Sequence, residues 1–455
     1  MRTDLLTEYN EAAAAAARPI YAISDKSSED ALKAAPQSLA ALAKANGFGG
    51  EAGVALANND GVLLGVGDGR DPFFTAAAAE KLPQGDYHLT ESLEHREAAQ
   101  AALGWLLGTY RFDRYKKQKA PVARLVAPKG VRVDEVSRQA RATAFVRDLV
   151  NTPAQDMTPA AIEEAAREIG ARHDAKVTSI VGDDLLELNF PMIHAVGRAA
   201  AAAPRLIDLT WGRANAPKVT LVGKGVSFDS GGLDIKNASG MLLMKKDMGG
   251  AANALGLAQM IMEAGLDLRL RVLIPAVENA ISGTSFRPGD ILKSRKGLTV
   301  EVGNTDAEGR LILADAITFG AEESPDLLVT LATLTGAARV ALGPDLPAFY
   351  CDDETFAGDV TAAAMREADP LWRMPLWRPY DSMLSSSIAD MNNVSQGAFA
   401  GSVTAALFLK RFAPERWAHI DLFAWRPKAA PGRPLGGEAQ TIRALYAVFA
   451  ERYRR

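Results

Sequence analysis

Cysteine is almost absent from this chain of 455 residues. Its single thiol, Cys351, excludes a disulfide framework within the chain and favours a reducing compartment. Two acids follow Cys351 directly and disfavour a reactive thiolate, so we interpret this residue as structural. Long apolar runs are missing too. No stretch of about 20 residues is apolar and free of charge, so we expect no transmembrane helix.

The chain also lacks an excess of basic residues. It has 51 Lys and Arg residues and 55 Asp and Glu residues, which gives a net charge of -4. This balance provides no overall positive charge that would attract nucleic acid, so we expect no nucleic acid as a partner. The first 20 residues lack the apolar core of a secretory signal, which predicts a cytoplasmic protein. Only five histidines occur, and no H-E-x-x-H pair is among them, which excludes a single-zinc site of that type.

What the chain does contain is a regular alternation of apolar segments. Buried-strand patterns such as KVTLVG and LRLRVLIPAV alternate with helical patterns such as GGAANALGLAQMIMEAG and RLILADAITFGAEE. This order predicts an α/β protein whose larger C-terminal domain has a mostly parallel central sheet covered by helices. We place that catalytic domain at residues 131–455, opening with a linking helix at about 133–150. A small mixed α/β domain of unclear role is predicted for residues 1–130.

The segment FDSGG (Phe228–Gly232) resembles the surroundings of the nucleophilic serine in chymotrypsin-like proteases. Three features argue against Ser230 as a nucleophile: the α/β pattern, Phe228 in place of the first signature glycine, and the lack of a G-x-S-x-G elbow. We therefore interpret Ser230 as a bystander. Asp229 is the residue of this segment for which we expect a functional role.

Acidic and basic residues gather behind three predicted strands: KVTLVG, GMLLMKK and LTVEVGN. Sites in open α/β sheets lie outside the carboxyl ends of strands, so these side chains are expected to converge. The four carboxylates would repel one another, whereas two divalent cations would neutralise them. Taken singly, each acid is more typical of a solvated turn or a surface ion pair than of a metal site, so the metal site and the solvated surface both stay open. The residues are Lys224, Asp229, Lys236, Asp247, Asp306, Glu308 and Arg310.

Three sequence blocks carry a resemblance to a known family. NTDAEGRL (Asn304–Leu311) is unbroken, and VGKGVSFDSGGLDIK and MKKDMGGAANALG precede it in order and spacing. With these blocks the chain resembles the leucyl aminopeptidase family, the hexameric di-metal aminopeptidases of the cytosol. The resemblance extends from about Asn151 to the C-terminus and fades over the first 130 residues.

The resemblance implies an aminopeptidase that removes the N-terminal residue of peptides, Leu or a similar apolar residue being preferred, and that forms a homo-hexamer. Two divalent ions per subunit are implied, Zn or Mn, with Mg or Co as alternatives. Asp229 and Glu308 would bridge them. The full set of implied metal ligands is Lys224, Asp229, Asp247, Asp306 and Glu308.

The remaining implied roles concern catalysis and the pocket for the first side chain. Lys236 would polarise the scissile carbonyl, and Arg310 would hold a bicarbonate ion as the base for a metal-bridging water. Two alternatives remain at this stage: a dipeptidase-type preference such as Cys-Gly, and a non-catalytic hexameric scaffold or binding protein. The implied substrate-binding residues are Met244, Asn304, Thr333, Leu334 and Gly336.

A lysine ligand needs a quantitative argument, because only a neutral amine can donate a lone pair. Deprotonating Lys224 near pH 7 costs roughly 4–5 kcal/mol from an ordinary lysine pKa of about 10.4. A dication about 4 Å away repels an ammonium by roughly 8 kcal/mol at an effective dielectric constant near 20. The repulsion is the larger quantity, so Lys224 can serve as a neutral ligand.

Overall fold

The computed structural model describes residues 1–26, 28–69, 71–91 and 93–454. The chain divides into two compact units, Met1–Ala144 with Arg426–Leu435, and Phe145–Trp425 with Gly436–Arg455. The sequence carries no signal for the assignment of residues 426–435 to the first unit, and the predicted boundary near residue 130 stays a prediction. Among the described residues, no helix has the length and apolar character needed to cross a membrane.

The first unit contains a six-stranded sheet in the order β1-β6-β5-β2-β4-β3. All neighbouring strands are parallel except β3 and β4, which form an antiparallel hairpin around Asn58–Gly61. The elements are β1 (Leu6–Thr7), α1 (Glu11–Ala16), β2 (Arg18–Ser24), α2 (Ser28–Ala34), α3 (Gln37–Ala45), β3 (Ala55–Asn58), β4 (Gly61–Gly67), α4 (Ala76–Lys81), β5 (Gly85–Leu89), α5 (His95–Gly108) and β6 (Ala123–Val126).

The structure divides one segment of this unit between two helices. The Ala-rich segment 31–47 predicts helical structure, and it is shared by α2, which ends at Ala34, and α3, which begins at Gln37. Pro36 lies between them, and a proline in a helix interior removes a hydrogen bond and clashes with the preceding turn. The proline outweighs the helix propensity of the surrounding alanines.

Helix α6 (Val133–Asn151) follows, and the two units divide at its residue Ala144. The remaining elements are α7 (Pro159–Arg172), β7 (Lys176–Val181), α8 (Asp184–Glu187), α9 (Pro191–Gly197), β8 (Arg205–Trp211), β9 (Lys218–Gly223), β10 (Gly225–Asp229), α10 (Ala238–Met241), α11 (Gly249–Ala264), β11 (Arg269–Asn279), β12 (Ile291–Lys293), β13 (Thr299–Glu301), α12 (Glu308–Ala321), β14 (Leu327–Ala332), α13 (Gly336–Leu342), β15 (Ala348–Cys351), α14 (Glu354–Arg366), β16 (Trp372–Arg373), β17 (Met391–Asn392), α15 (Gly401–Lys410), β18 (Trp417–Asp421), β19 (Trp425–Arg426), β20 (Gly436–Gly437) and α16 (Ile442–Arg452).

The second unit is built on a nine-stranded sheet in the order β16-β15-β18-β14-β9-β11-β8-β7, with β10 paired to β11. Its centre is parallel, because β18, β14, β9 and β11 run in the same direction. Helix α11 is buried on every side from Gly249 to Met262, as expected for a helix that covers a sheet inside a large core. The predicted α/β fold with a mostly parallel, helix-covered sheet is confirmed.

Two of the three strands predicted to carry the acids differ in the structure. GMLLMKK is not a strand, because Ala238–Met241 is helical and Met244–Met248 is a 3-10 helix. Asn237 starts this helical stretch, since its side chain accepts a hydrogen bond from the N–H of Gly240. LTVEVGN does form β13, but β13 belongs to a separate three-stranded sheet in the order β12-β13-β17.

The single cysteine lies in β15 and is buried. Burial raises the pKa of the Cys351 thiol to about 11, and this protonated thiol is neither a nucleophile nor a good metal ligand at neutral pH. The structural interpretation of Cys351 agrees with this environment.

Candidate metal centre

Three segments of the second unit bring acidic side chains together at one place. Asp229 is the last residue of β10, Asp306 lies in the turn after β13, and Glu308 is the first residue of α12. One carboxylate oxygen from each of these residues lies within 4.8 Å of those of the other two. The predicted convergence of these three carboxylates is therefore present in the fold.

Lys224 and Asp247 complete the group. Lys224 follows β9, and its Nζ lies 2.7 Å from Oδ2 of Asp247 and 2.8 Å from Oε1 of Glu308. The same Nζ donates a hydrogen bond of 3.1 Å to the carbonyl of Thr333. All three charged side chains are at least 96 % buried. The five residues that the resemblance marks as ligands are thus neighbours.

The loop after β10 turns sharply so that Lys236 returns to the acids. Gly231 and Gly232 have φ of +87° and +66°, in the left-handed region that favours glycine. The N–H of Gly231 donates to Oδ1 of Asp229 at 2.9 Å. Lys236 Nζ lies 2.9 Å from Oδ2 of Asp229 and also contacts Asp306. Ser230 Oγ donates to the backbone carbonyl of Asn279, which is a structural contact.

The pKa values of the cluster are shifted in the direction that stabilises bound protons and other positive charge. Burial, and then repulsion from Asp229, raises the pKa of Glu308 to about 8 and that of Asp306 to about 6. For Lys224, burial lowers the pKa, but attraction to Asp247 and Glu308 outweighs it and raises the pKa above its usual range. The carboxylates therefore hold protons and cations more tightly than exposed carboxylates do.

Two divalent ions fit these side chains. Among the described residues, no group donates a hydrogen bond of good geometry to Oδ2 of Asp247 or Oε1 of Glu308, although both atoms are buried. Four carboxylates carry a charge of -4, which two divalent ions balance, and oxygen-rich sites suit Mg, Mn and Zn. A single amine beside these oxygens is compatible with Zn or Mn.

Arg310 lies in the first turn of α12, beside this cluster. Its Nη1 donates to the carbonyl of Asn393 at 2.6 Å, and its Nε is buried without an acceptor among the described residues. Burial lowers the pKa of Arg310 to about 10, so the guanidinium keeps its charge at neutral pH. Asn393 also accepts from the N–H groups of Gly303 and Asn304, so it fixes the acid-bearing loop as well as Arg310.

A cavity of about 520 Å³ opens beside the acids. Four of the five predicted substrate-binding residues line it, namely Met244, Thr333, Leu334 and Gly336. Asn304 is not part of the lining. Its side chain accepts a hydrogen bond of 2.7 Å from the N–H of Asp306 and so shapes the turn that presents this acid.

Comparison with known proteins decides the family. The model of the "Cytosol aminopeptidase family, catalytic domain" matches residues 144–446, and that of the "M17 aminopeptidase, N-terminal domain" matches residues 18–128. This chain belongs to the cytosol aminopeptidase family. As a member it is a metallo-exopeptidase that hydrolyses peptides from their amino end, which confirms the enzyme class expected from the three sequence blocks.

Individual relatives cover between 78% and 99% of this cytosol aminopeptidase chain. The crystal structure of cytosol aminopeptidase from Coxiella burnetii superimposes with a TM-score of 0.93 at 44% identity, covering 99% of this chain and 100% of that one. The bottromycin maturation enzyme BotP in complex with Mn has a TM-score of 0.83 at 33% identity, covering 90% and 96%. A "Probable cytosol aminopeptidase" of Roseiflexus castenholzii is 41% identical over 78% of this chain and 77% of its own length.

Asp421 shapes the cavity of this aminopeptidase and is not among the residues predicted from the sequence. Asp421 ends β18, and its Oδ1 accepts from the N–H groups of Leu334 and Thr335 while its Oδ2 accepts from the hydroxyl of Thr335. These bonds fix the loop that contains Thr333, whose hydroxyl in turn donates to Oδ1 of Asp247 at 2.8 Å.

Gly309 is the residue of this aminopeptidase that lets Lys224 approach the acids. A Cβ built on Gly309 would lie 2.6 Å from Cε and 2.7 Å from Nζ of Lys224. Gly309→Ala is therefore expected to displace Nζ and to weaken metal affinity about tenfold, measured by titrating Mn²⁺ into the chelated enzyme. Alanine by itself favours a helix by about 1 kcal/mol over glycine, so unfolding of α12 would not be the cause.

The matched control for this substitution is Gly358→Ala in α14, where a Cβ would meet no atom within 4 Å. This variant is expected to bind Mn²⁺ as the parent enzyme does. Equal Mn²⁺ affinity in Gly309→Ala and the parent would contradict a ligand role for Lys224.

Proposed function

We propose that this enzyme removes the first residue of peptides, with Leu or a similar apolar residue preferred, at a centre that binds two divalent ions. The observation that supports the proposal is the convergence of three carboxylates within 4.8 Å of one another beside a cavity of about 520 Å³. The side chains proposed to hold the ions are Lys224, Asp229, Asp247, Asp306 and Glu308.

Two divalent ions, when bound, supply an activated water and a Lewis acid for the scissile carbonyl. The protein supplies orientation. Asp247 lines the cavity with its buried carboxylate and is the group proposed to receive the free α-ammonium of the substrate. A peptide with a blocked amino end has no ammonium to place at this carboxylate, so the proposal explains exopeptidase cleavage.

Lys236 is proposed to bind the oxygen of the scissile carbonyl. It lines the cavity, and although burial lowers its pKa, attraction to Asp229 and Asp306 outweighs burial, so the ammonium keeps its proton. Its flexible four-carbon side chain allows the ammonium to reach from these carboxylates to an oxygen in the cavity. A charged donor aimed at a developing oxyanion stabilises the transition state strongly.

Arg310 is proposed to hold a bicarbonate ion that acts as the base. Its guanidinium has one nitrogen bonded to the carbonyl of Asn393, and Nε is buried without an acceptor in the described part of the chain. The planar fork of an arginine suits a bidentate anion such as bicarbonate.

Three further features remain proposals. The metal is proposed to be Zn or Mn, with Mg or Co as alternatives, and the Mn complex of BotP supports Mn. The assembly is proposed to be a homo-hexamer on the strength of the family resemblance. A cytoplasmic location is proposed from the reducing character implied by one cysteine and from the family name.

Hydrolysis of Leu-p-nitroanilide tests the proposal. The chelated enzyme is expected to be inactive, and activity is expected to return on adding Mn²⁺ or Zn²⁺ to two ions per chain. N-acetyl-Leu-p-nitroanilide is the matched control, and it should resist cleavage because its amino end is blocked. Full activity in the presence of EDTA would rule out a metal mechanism, and cleavage of the acetylated substrate would rule out recognition of the free amine.

A further inference from the structure

Two cations in the cavity wall have no part in the proposed reaction. Lys246 and Arg339 both line the cavity, and both lie against the ring of Phe423. Lys246 Nζ is 5.2 Å from the ring centroid, and Cζ of Arg339 is 4.8 Å from it. The lysine is only 5% exposed, so its ammonium is held inside the wall rather than in solvent.

The two cations adjoin the residues expected to contact the first side chain of the substrate. Lys246 belongs to the same 3-10 helix as Met244 and directly precedes Asp247. Arg339 lies one turn after Gly336 on α13, and a Cβ built on Gly336 would lie 3.9 Å from Nη2 of Arg339. A side chain that enters between Met244 and Gly336 would therefore meet both positive charges.

Neither cation is well neutralised by the protein. Within the described part of the chain, the one carboxylate within 4.0 Å of Lys246 Nζ is that of Asp247, at 3.8 Å. That oxygen, Oδ1, already accepts from the hydroxyl of Thr333, and the carboxylate as a whole is proposed to bind an ion. No carboxylate of the described residues lies within 4.0 Å of the guanidinium of Arg339. Lys246 is buried, whereas Arg339 is exposed, so an anion between them would give the buried ammonium the partner that it lacks.

The other acid in this part of the wall cannot serve as the partner. Both oxygens of Asp421 are occupied, one by two backbone N–H groups and the other by the hydroxyl of Thr335. An anion that pairs with both Lys246 and Arg339 would therefore come from outside the chain.

We infer that the pocket for the first residue also accepts acidic side chains, and that the carboxylate of an N-terminal Glu or Asp binds between Lys246 and Arg339. This inference rests on the proposed function, because it requires a peptide whose amino end lies at Asp247. The apolar groups of Met244 and Phe423 still accommodate the methylenes of such a side chain, as they do a leucine. An arginine contributes a bidentate fork and a lysine a point charge to the same carboxylate.

A different carboxylate of similar chemistry is the C-terminal group of a dipeptide. The geometry favours the side-chain carboxylate, because Lys246 and Arg339 lie beside Met244 and Gly336. A C-terminal carboxylate would instead extend past the scissile bond, on the side of Lys236. The experiment below separates the two.

The test compares Glu- and Gln-7-amido-4-methylcoumarin, two substrates of equal shape, on the enzyme reconstituted with Mn²⁺. The ratio of their kcat/KM values reports the charge of the side chain and cancels any general loss of activity. The parent enzyme is expected to favour Glu, and Lys246→Met and Arg339→Gln are each expected to lower the Glu-to-Gln ratio about tenfold, as loss of a charged hydrogen bond predicts. Lys245→Met is the matched control, since Lys245 Nζ donates to the carbonyl of Asn151 and is not part of the cavity lining.

Each outcome is decisive. A Glu-to-Gln ratio near one that neither substitution moves, together with cleavage of Leu-7-amido-4-methylcoumarin, would overturn this inference and leave the proposed function standing. Failure to cleave any of the three substrates with Mn²⁺ or Zn²⁺ would overturn both. If Lys246→Met instead abolishes a preference for Leu-Gly over Leu-Gly-amide, the cations bind the C-terminal carboxylate, and the assignment to the side chain is wrong.

Discussion

Asp229→Ala is expected to lose nearly all peptidase activity, with kcat at least about 1,000-fold lower, or about 4 kcal/mol of lost transition-state stabilisation. Asp229 is 98 % buried and lies at the centre of the cluster, in contact with Lys236 and with the amide of Asn279. Its removal deletes the carboxylate proposed to bridge the ions and leaves Lys236 with only Asp306 as a charge partner. The measurements are kcat on Leu-p-nitroanilide and the number of bound metal ions per chain.

Ser230→Ala is the matched control for this variant. The serine hydroxyl donates to the carbonyl of Asn279 and accepts from the N–H of Gly232, so its loss removes two local hydrogen bonds and no charge. We expect Ser230→Ala to retain most of its activity and both metal ions. Unchanged kcat for Asp229→Ala at saturating Mn²⁺ would contradict the two-metal proposal, and inactivation of both variants alike would point to collapse of the loop.

The convergence of the acids could be predicted from the sequence, although the elements that carry two of them differ from the prediction. Asp247 is delivered by a 3-10 helix that leads into α11, and Asp306 follows a strand of a separate small sheet. A short apolar run such as GMLLMKK fits a strand or a buried helical turn equally well, because periodicity over seven residues does not separate them. The sequence blocks identified the acids because spacing along the chain survives such local errors.

Three other residues of the cavity wall, Lys246, Arg339 and Asp421, could not be predicted in the same way. The contact of Lys246 and Arg339 with Phe423 joins three segments that are distant in the sequence, and no local pattern encodes it. The same holds for Asp421, whose carboxylate fixes the loop at Thr335 from another strand. In the sequence, Lys246 is one of two adjacent lysines beside an acid, a pattern typical of an exposed surface. Only the burial of Lys246 distinguishes it from such surface residues.

Arg310→Met is expected to lower kcat about 100- to 1,000-fold while both metal ions stay bound, the range typical for loss of a group that acts in the transition state. The guanidinium contacts the carbonyl of Asn393 and none of the five proposed ligands by a hydrogen bond or an ion pair within the described part of the chain. Its methylenes pack within a buried first turn of α12, and methionine preserves much of that volume. The loss should therefore appear in turnover and not in metal content.

Bicarbonate separates the proposed role of Arg310 from a purely structural one. In buffer freed of carbon dioxide, the parent enzyme is expected to gain activity on addition of bicarbonate, whereas Arg310→Met should not respond. Arg310→Lys is the matched control: it keeps a positive charge but lacks the planar fork, so a partial response at higher bicarbonate concentration is expected. Loss of metal ions from Arg310→Met would instead assign this arginine to the framework of the centre, because its bond to Asn393 also supports the loop that presents Asp306.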